Sequence, residues 1–489
     1  MTALSVVEAD DGWGPTAVPG TATDEDLAAL RDKQEKTPPV TEKERSSSGQ
    51  LRMAFRAQET FVGQLIYNVT TETWHAWDGQ RWAEDVKMLR KQIVIDALGE
   101  AWKEGLTDTE LRKSAQQCQT AASIDGIVRI LESNPEIVVT GEELDTHPHL
   151  LNTPEGTVNL ETGEVQPHNP ADRLTKITRG SYKPEAVYGG DDVPEWYRFV
   201  EQILPDKEVR LYAQVAVGVA LFGDVREQLF FVMTGTGANG KSVFVNTILT
   251  ALGDFGLAAD PELFMRSKGD ANRASPALLQ LKGARFIAVS ETGRGQSMES
   301  SVMKQLSGDD VIVARGLYSN PVTFRPSHTP FMITNHLPKV DGADPALWRR
   351  MRVIRFEVVI PPEKRDPELA ARLARDPDAV VTWALDGWFH YLRYGMPEAA
   401  AVTAATDRYR QDSDTVARFL AEKCVRTPAG RTPLSDLYRE FQSWAVDDGS
   451  EVMHRRQFST QLEAHGFEKY RSKAGMAFRG VGLLVGETA

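Results

Sequence analysis

Cysteine is nearly missing from this chain: Cys118 and Cys424 are the two present in 489 residues, far apart and without metal-ligand spacing. That excludes a disulfide framework and a cysteine-bound zinc module, and predicts reduced thiols in a cytosolic setting. Long apolar runs are missing too. No stretch approaches the ~20 residues that span a bilayer, and the N-terminus has no signal-peptide pattern, so the expectation is a cytoplasmic protein with no membrane partner. Positive charge is in deficit, with 56 Lys and Arg against 69 Asp and Glu, for a net charge of −13. Such a chain does not coat DNA over its whole surface, although basic residues confined to a channel remain compatible with that balance. Internal repeats are absent. Residues 1–48 carry few large apolar side chains among their Asp, Glu, Pro, Gly, Ser and Thr, which predicts a disordered tail with a short helix around Asp24 to Glu35.

What is present is an ordinary globular composition, 41% hydrophobic and 26% charged, in a chain long enough for about two to four domains. The reading divides it into the tail (1–48), a small α+β N-terminal domain (49–195), an α/β module (196–365), a helical linker or lid (366–412) and a small C-terminal domain (413–489). Thr73 to Trp82 suggests a hairpin turning at Asp78-Gly79. Its tryptophans, Trp74, Trp77 and Trp82, read as hairpin and core packing in preference to a stacking platform for bases. Residues 86–133 have helical spacing. His147, His149 and His168 are close in sequence but lack a matching carboxylate or cysteine pattern, and read as loop histidines in preference to metal ligands.

The most informative stretch is Gly235-Thr236-Gly237-Ala238-Asn239-Gly240-Lys241-Ser242. It follows the apolar run Leu229 to Met233 and opens into Val243 to Leu249, so strand, glycine-rich loop and helix are all in place around G-x-x-x-x-G-K-[ST]. Glycines let successive backbone N–H groups turn toward one anion, and the helix adds the positive end of its dipole. Lys241 is expected to reach the β- and γ-phosphates of ATP, and Ser242 to place its hydroxyl on Mg²⁺.

Further elements narrow the chemistry. Ala284 to Ser290 is an apolar strand ending in Glu291, the candidate base, with metal coordination shared with Ser242. Val311 to Ala314 and Val322 to Phe324 have strand composition around a turn at Gly316 to Pro321. Arg315 and Tyr318 near that tip, with Lys304 ahead of it, are candidates for gripping DNA phosphate and stacking on a sugar or base. Phe331 to His336 is a third core strand whose Asn335 is placed to orient water or sense the γ-phosphate. Arg349 and Arg350 open the next strand and fit an arginine finger supplied to a neighbouring subunit.

This order of elements resembles superfamily 3 helicases. More closely, it is similar to the helicase part of the phage and plasmid primase-helicase family, related to the poxvirus primase-helicase. The matching residues are Gly235 to Ser242, Ser290-Glu291, Lys304 with Gly308, Asp310 and Arg315, Asn335, and Trp348-Arg349-Arg350. Leu151 to Gly156 and the Trp77 to Trp82 turn resemble the domain ahead of the family's ATPase. The resemblance implies an AAA+-like P-loop ATPase core and a homo-hexameric ring moving 3′ to 5′ on single-stranded and forked DNA. It also implies an ATP site at the subunit interface and hairpins in the pore. Ser319 and Asn320 follow the tyrosine where the family's hairpins usually carry a basic residue, and Arg315 is the nearest charged substitute. A primase-polymerase domain needs well over a hundred ordered residues and a metal-binding carboxylate cluster, which the segment before Leu51 is not expected to supply, so no primer synthesis is expected of this chain and a separately encoded primase or polymerase is a candidate partner.

In the C-terminal part, Leu434 to Ala445 and His454 to Phe467 read as two helices, and Lys469 to Leu484 as a two-stranded wing turning at Gly475. That is a winged-helix plan, in which Arg455, Arg456 and Lys473, with Lys469 and Arg471, could meet DNA phosphates. A protein-contact module is the competing reading of the same unit. The function expected first is a phage or plasmid replicative DNA helicase, in the host cytoplasm if phage-encoded. An ATP-dependent origin-binding initiator or scaffold with little unwinding of its own stands as the alternative, and an AAA+ protein remodeller as a third.

Overall fold

The computed structural model describes residues 42–183, 193–264, 276–290, 298–308, 310–315, 321–338, 340, 342, 344–450, 452–473 and 475–484. These fall into two compact units, one of residues up to 67 with 85–138, the other of 68–84 with the chain from 139 onward.

The first unit is helical. It comprises α1 (Glu42–Arg45), α2 (Gly49–Phe61), α3 (Leu89–Glu104), α4 (Thr109–Gln117) and α5 (Ala121–Leu131). Met53, Ala54, Ala57 and Phe61 form the buried stripe of α2, and Ile93, Val94, Ala97, Leu98 and Ala101 that of α3, at the spacing of one helix face. Asp108 caps α4 by accepting from Glu110 N and Leu111 N, and pairs with Arg52 at 2.9 Å. Helical order begins earlier than Leu51: Glu44 on α1 is buried and pairs with Arg56 at 3.3 Å. A buried ion pair gives that short polar segment a reason to fold that its composition did not reveal.

In the second unit, β1 (Thr73–Trp77) and β2 (Trp82–Glu84) make the expected hairpin, with Trp77 opposite Trp82 and Gly79 at φ +98° in the turn. Trp74 and Trp82 are buried. A small antiparallel sheet follows, of β3 (Leu150–Thr153), β4 (Gly156–Asn159) and β5 (Val165–Gln166). Asn152 in β3 is fully buried; its amide donates to Gln80 O (3.0 Å) and Lys176 O (3.1 Å) and accepts from the Thr157 hydroxyl (3.1 Å). The residues around Asn152 therefore tie the hairpin turn to this sheet.

Helices α6 (Glu195–Ile203) and α7 (Lys207–Val219) lead into β6 (Phe230–Thr234), the glycine-rich loop, α8 (Lys241–Leu252) and β7 (Gly256–Ala259). Next come β8 (Phe286–Ser290), α9 (Ser300–Leu306), a hairpin of β9 (Ile312–Arg315) and β10 (Pro321–Phe324), then β11 (Thr329–Thr334), α10 (Pro345–Trp348) and β12 (Met351–Arg355). Five of these strands form one sheet in the order β12-β6-β11-β8-β7, parallel at every pairing. Strands covered on both faces read as near-continuous apolar runs, as Phe230 to Met233 does. Successive side chains go to opposite faces. Phe231 and Met233 join Phe244, Trp196, Trp383 and Trp388 on one side, and Phe230 and Val232 join Met303, Trp348 and Tyr409 on the other. Phe331 stacks between Phe231 (ring centroids 4.9 Å) and Phe286 (4.3 Å) across three neighbouring strands.

Helix α11 (Pro377–Tyr394) packs on α7 through glycines: a Cβ on Gly218 would come within 2.2 Å of Trp388 N. Helix α12 (Ala400–Ser413) leads to the C-terminal part, with α13 (Thr415–Lys423), β13 (Cys424–Pro433), α14 (Leu434–Asp448), α15 (Arg455–Ala464), β14 (Glu468–Ser472) and β15 (Gly475–Leu483). Its sheet is antiparallel in the order β13-β15-β14. The expected two-stranded wing thus gains a third strand, β13, whose register shifts between Arg426 and Arg431. Phe419, Phe441, Trp444, Phe458 and Phe478 fill the core of this part. Among the described residues no helix is long and apolar enough to cross a membrane.

Candidate functional site at the two ends of the parallel sheet

Crossover connections leave the C-terminal ends of parallel strands open to ligands. The glycine-rich loop lies at that end, running from Gly235 directly after β6 to Gly240 at the N-cap of α8. A side chain at position 235 cannot fit, because a Cβ there would stand 2.2 Å from Asn239 Nδ2 and 2.4 Å from Phe356 O. Gly240 holds φ +80°, which turns the chain into the helix. Thr236 and Ser242 are exposed, and the N-terminal N–H groups of the twelve-residue α8 have no earlier helical carbonyl to bond.

Lys241 is buried, at 4% exposure. Its ammonium donates to Gly235 O (3.0 Å), Asn239 Oδ1 (3.1 Å) and Asn335 Oδ1 (3.1 Å). Burial pushes its pKa down from the usual lysine value. All three acceptors are neutral, and charge-assisted bonds to anionic oxygens are stronger. The ammonium can therefore exchange these neutral partners for anionic oxygens.

Asn335 reaches this position because β11 lies between β6 and β8. Thr334 is in register with Thr234, the residue before the loop. The Thr334 hydroxyl donates to His336 O and accepts from His336 N at 3.0 Å, fixing the turn that carries Asn335. The side chain of Asn239, grouped with the phosphate-contacting residues in the sequence reading, turns inward instead. It is buried, donating to Phe356 O at 3.2 Å and accepting from Lys241. Its local cause is the bend of the loop over Phe356; no pattern in the motif marks that inward rotation. Ser290 ends β8 exposed and in register with Ile333. Glu291 and Tyr318 lie outside the described residues.

The opposite end of the sheet holds the other sequence candidates. Phe230, the first residue of β6, donates its N–H to Arg350 O at 2.7 Å, so Arg349 and Arg350 sit at the N-terminal ends of the strands. A five-residue strand rises about 3.3 Å per residue, which sets these arginines roughly 15 Å from the loop of their own chain. Arg349 is exposed. Arg350 is half-buried and donates to Lys304 O at 3.2 Å. Lys304, a DNA-contact candidate from the sequence, pairs with Asp344 at 2.8 Å, and Asp344 also caps α10. Lys304 and Arg350 are therefore built into this corner, whereas Arg349 faces outward. Arg315 is exposed at the end of β9, a hairpin rooted at the same end: Ser327 Oγ donates to Ala284 O (2.8 Å) and Thr329 N to Arg285 O (2.8 Å).

In the C-terminal part Arg455, Arg456 and Lys473 are exposed and make no ion pair among the described residues. Lys469 is paired with Glu463 at 2.9 Å. Sequence reasoning missed Arg285, which is buried at the start of β8. It donates to Leu221 O and Leu150 O (2.5 and 2.6 Å) and lies over the Phe255 ring. The sole signal for it was an arginine interrupting an apolar run.

Strand, glycine-rich loop, helix and parallel sheet define a mixed α/β protein with a P-loop-like core. Three family profiles match the chain: "D5 N terminal like" over residues 54–205, a family of unknown function over 233–350, and "Poxvirus D5 protein-like" over 411–479. Two of these matches, at residues 54–205 and 411–479, are to D5-like families, which supports kinship with the poxvirus D5-like primase-helicases. Similar proteins include "Putative helicase L207/L206" of Acanthamoeba polyphaga mimivirus, 29% identical over 62% of this chain and 33% of that protein. "Putative primase C962R" of African swine fever virus is 24% identical over 67% and 36%. "Putative helicase 121R" of Invertebrate iridescent virus 3 is 24% identical over 70% and 40%. The chain thus spans between a third and two fifths of the length of these relatives. The solved NrS-1 C terminal region aligns over 88% of this chain and 99% of that one, at 11% identity and a TM-score of 0.47.

Proposed function

We propose that this chain is a replicative DNA helicase, an ATP hydrolase that works as a homo-hexameric ring and travels 3′ to 5′ along one strand of a fork. The observation that carries the reading is the division of the site between the two ends of one sheet. Lys241 and Asn335 are at the C-terminal end, and Arg349 faces outward at the N-terminal end. An arginine that cannot reach its own loop acts, in this reading, on the loop of a neighbouring copy, and that requires a ring or a stack of subunits.

The loop fits ATP and Mg²⁺ in the residues present. Backbone N–H groups at the start of α8, the Lys241 ammonium and the exposed Ser242 hydroxyl supply anion and metal contacts. Magnesium bound beside phosphates keeps several waters and needs few protein ligands. Among the described residues no cluster of three or more His, Cys, Asp or Glu is arranged to hold a metal. When bound, ATP supplies the transferable phosphoryl group and Mg²⁺ neutralises its charge. Lys241 then trades Asn335 and Gly235 O for phosphate oxygens, which frees the Asn335 amide to orient the attacking water. Glu291 takes the proton from that water, and Arg349 of the neighbouring copy stabilises the charge that develops in the transition state. The β9–β10 hairpin, with Arg315 and Tyr318, meets single-stranded DNA in the channel, and Arg455, Arg456 and Lys473 meet duplex or fork DNA. A separately encoded primase or polymerase is the proposed partner.

The test is ATP hydrolysis with and without single-stranded DNA, together with strand release from a forked duplex. The account expects DNA-stimulated hydrolysis and unwinding from a 3′ tail. Assembly on DNA with no strand release is what the scaffold alternative expects.

A further inference from the structure

The turn that carries Arg349 is too short to place itself. Helix α10 has four residues, Pro345 to Trp348, and a single helical turn has no stability of its own in water. The Arg349 side chain is exposed, so it is placed by the backbone beneath it. That backbone has to be held from outside the turn.

Lys304 holds it twice. From the last turn of α9 its ammonium pairs with Asp344 Oδ2 at 2.8 Å. Asp344 is the N-cap of α10, its Oδ1 accepting from Ala346 N (3.0 Å) and Leu347 N (3.3 Å). The Lys304 backbone carbonyl accepts from Arg350 Nη1 at 3.2 Å, on the far side of Arg349. One residue thus grips the segment 344–350 at both ends, with Arg349 between the two contacts. Gly308 leaves room for the second contact: a Cβ there would stand 2.7 Å from Lys304 O and 3.0 Å from Arg350 Nη1. On its inner side the segment buries Leu347 and Trp348, and the Trp348 ring meets Tyr409 edge-on with centroids 5.2 Å apart.

The same contacts bear on Lys304 as a DNA contact. Burial works against the charge of Asp344, yet the Lys304 ammonium and the two N–H donors hold its carboxyl below the usual range. Gripping a DNA phosphate would mean breaking that pair. With side chains 35% and 18% exposed, the pair adds little to folding stability. Presentation of a group to a transition state, in contrast, is sensitive to displacements of about 1 Å. The pair therefore matters more for where Arg349 stands than for whether the chain folds.

We propose that Lys304 is the positioning residue for Arg349, fixing the place from which that arginine meets the loop of a neighbouring copy; the proposal rests on the reading of Arg349 as a residue acting in trans. It assigns Lys304, Gly308 and Asp344 to presentation of the arginine and takes Lys304 out of the DNA contacts.

Lys304→Met in the full chain tests it. The expected result is a kcat for ATP hydrolysis lowered about a hundredfold, with the KM for ATP, the affinity for single-stranded DNA and the melting temperature unchanged. Lys304→Arg keeps the charge and is expected to retain most of the activity. Mixing shows which half of the site has failed. Lys304→Met has an intact loop, so hydrolysis returns when it is co-assembled with Lys241→Ala, whose Arg349 is correctly held, and does not return with Arg349→Ala. A merely structural defect would not tell those two partners apart. Asp344→Asn keeps the cap and removes the charge; should Lys304→Met fail to fold, the same pattern of rescue is expected of it. Wild-type hydrolysis by folded Lys304→Met, or a loss confined to DNA affinity, overturns the proposal and leaves Arg349 in its role. Rescue of Lys304→Met by both partners or by neither, where Lys241→Ala and Arg349→Ala rescue each other, does the same. Wild-type hydrolysis by Arg349→Ala, or its failure to complement Lys241→Ala, overturns the reading of that arginine and the proposal with it.

Discussion

The Lys241 ammonium donates to Asn335 Oδ1 at 3.1 Å, joining the glycine-rich loop to the tip of the neighbouring strand β11. The pairing gives two variants different signatures. Lys241→Ala removes the cation and is expected to abolish ATP hydrolysis while circular dichroism and melting stay near wild type. Asn335→Ala leaves the cation and removes the amide, so ATP still binds while kcat falls about a hundredfold, the usual scale for losing one preorganised polar group. A rise in KM with kcat unchanged would assign Asn335 to ground-state binding instead.

The strand–loop–helix was legible because its information is local: eight consecutive residues specify backbone turns and a cation. Asn335 was read as a γ-phosphate residue at the end of a third core strand, but its direct bond to Lys241 was not legible, because it follows from β11 pairing between β6 and β8, a choice made by burial of Phe331 and Ile333 against distant strands. Arg349 and Arg350 were equivalent in sequence. The contact of Arg350 with Lys304 O separates them, and it depends on α9 folding back under α10. The helical pattern of the C-terminal part was legible from its apolar spacing, while the third strand β13, polar and Gly- and Pro-containing, carried no strand signal.

A stability prediction follows from the contact of α7 with α11. Gly218→Ala places a methyl group against the backbone of Trp388, where no flexible side chain can yield. The expected loss is about 1–3 kcal/mol, read as a lower urea midpoint at unchanged slope. No change in midpoint would mean that these helices are not packed at this distance.

His328 provides a pH signature. It is 2% exposed just before β11, and burial pushes its imidazole down to about 4, against a smaller upward effect of the Leu306 backbone. In the unfolded chain it binds a proton near pH 6.5, so between those values the unfolded state holds more protons. Its contribution is therefore fully present above about pH 6.5 and is lost as pH falls toward 4, by about 3 kcal/mol in total. Urea titrations at pH 7 and pH 5 check this: His328→Leu should flatten the difference, and an equal pH dependence in both proteins would exclude His328 as its source.

The exposed basic residues of the C-terminal part predict a salt effect. Replacing Arg455, Arg456 and Lys473 with Glu is expected to weaken DNA binding for all sequences and to lower the salt slope by about 1 per lost phosphate contact. Fluorescence anisotropy over a range of salt reads both. An unchanged slope would assign this surface to a protein partner.

The central claim is that the loop of one copy is completed by Arg349 of another, and complementation tests it most directly. Lys241→Ala keeps the arginine and lacks the loop cation; Arg349→Ala keeps the loop and lacks the arginine, at an expected loss of about a thousandfold or more in hydrolysis. Each variant alone should be inactive. Mixed, they form junctions at which an intact loop faces an intact arginine, and the account predicts that DNA-stimulated ATP hydrolysis reappears in the mixture. A mixture as inactive as its components, from variants shown to co-assemble, would contradict it.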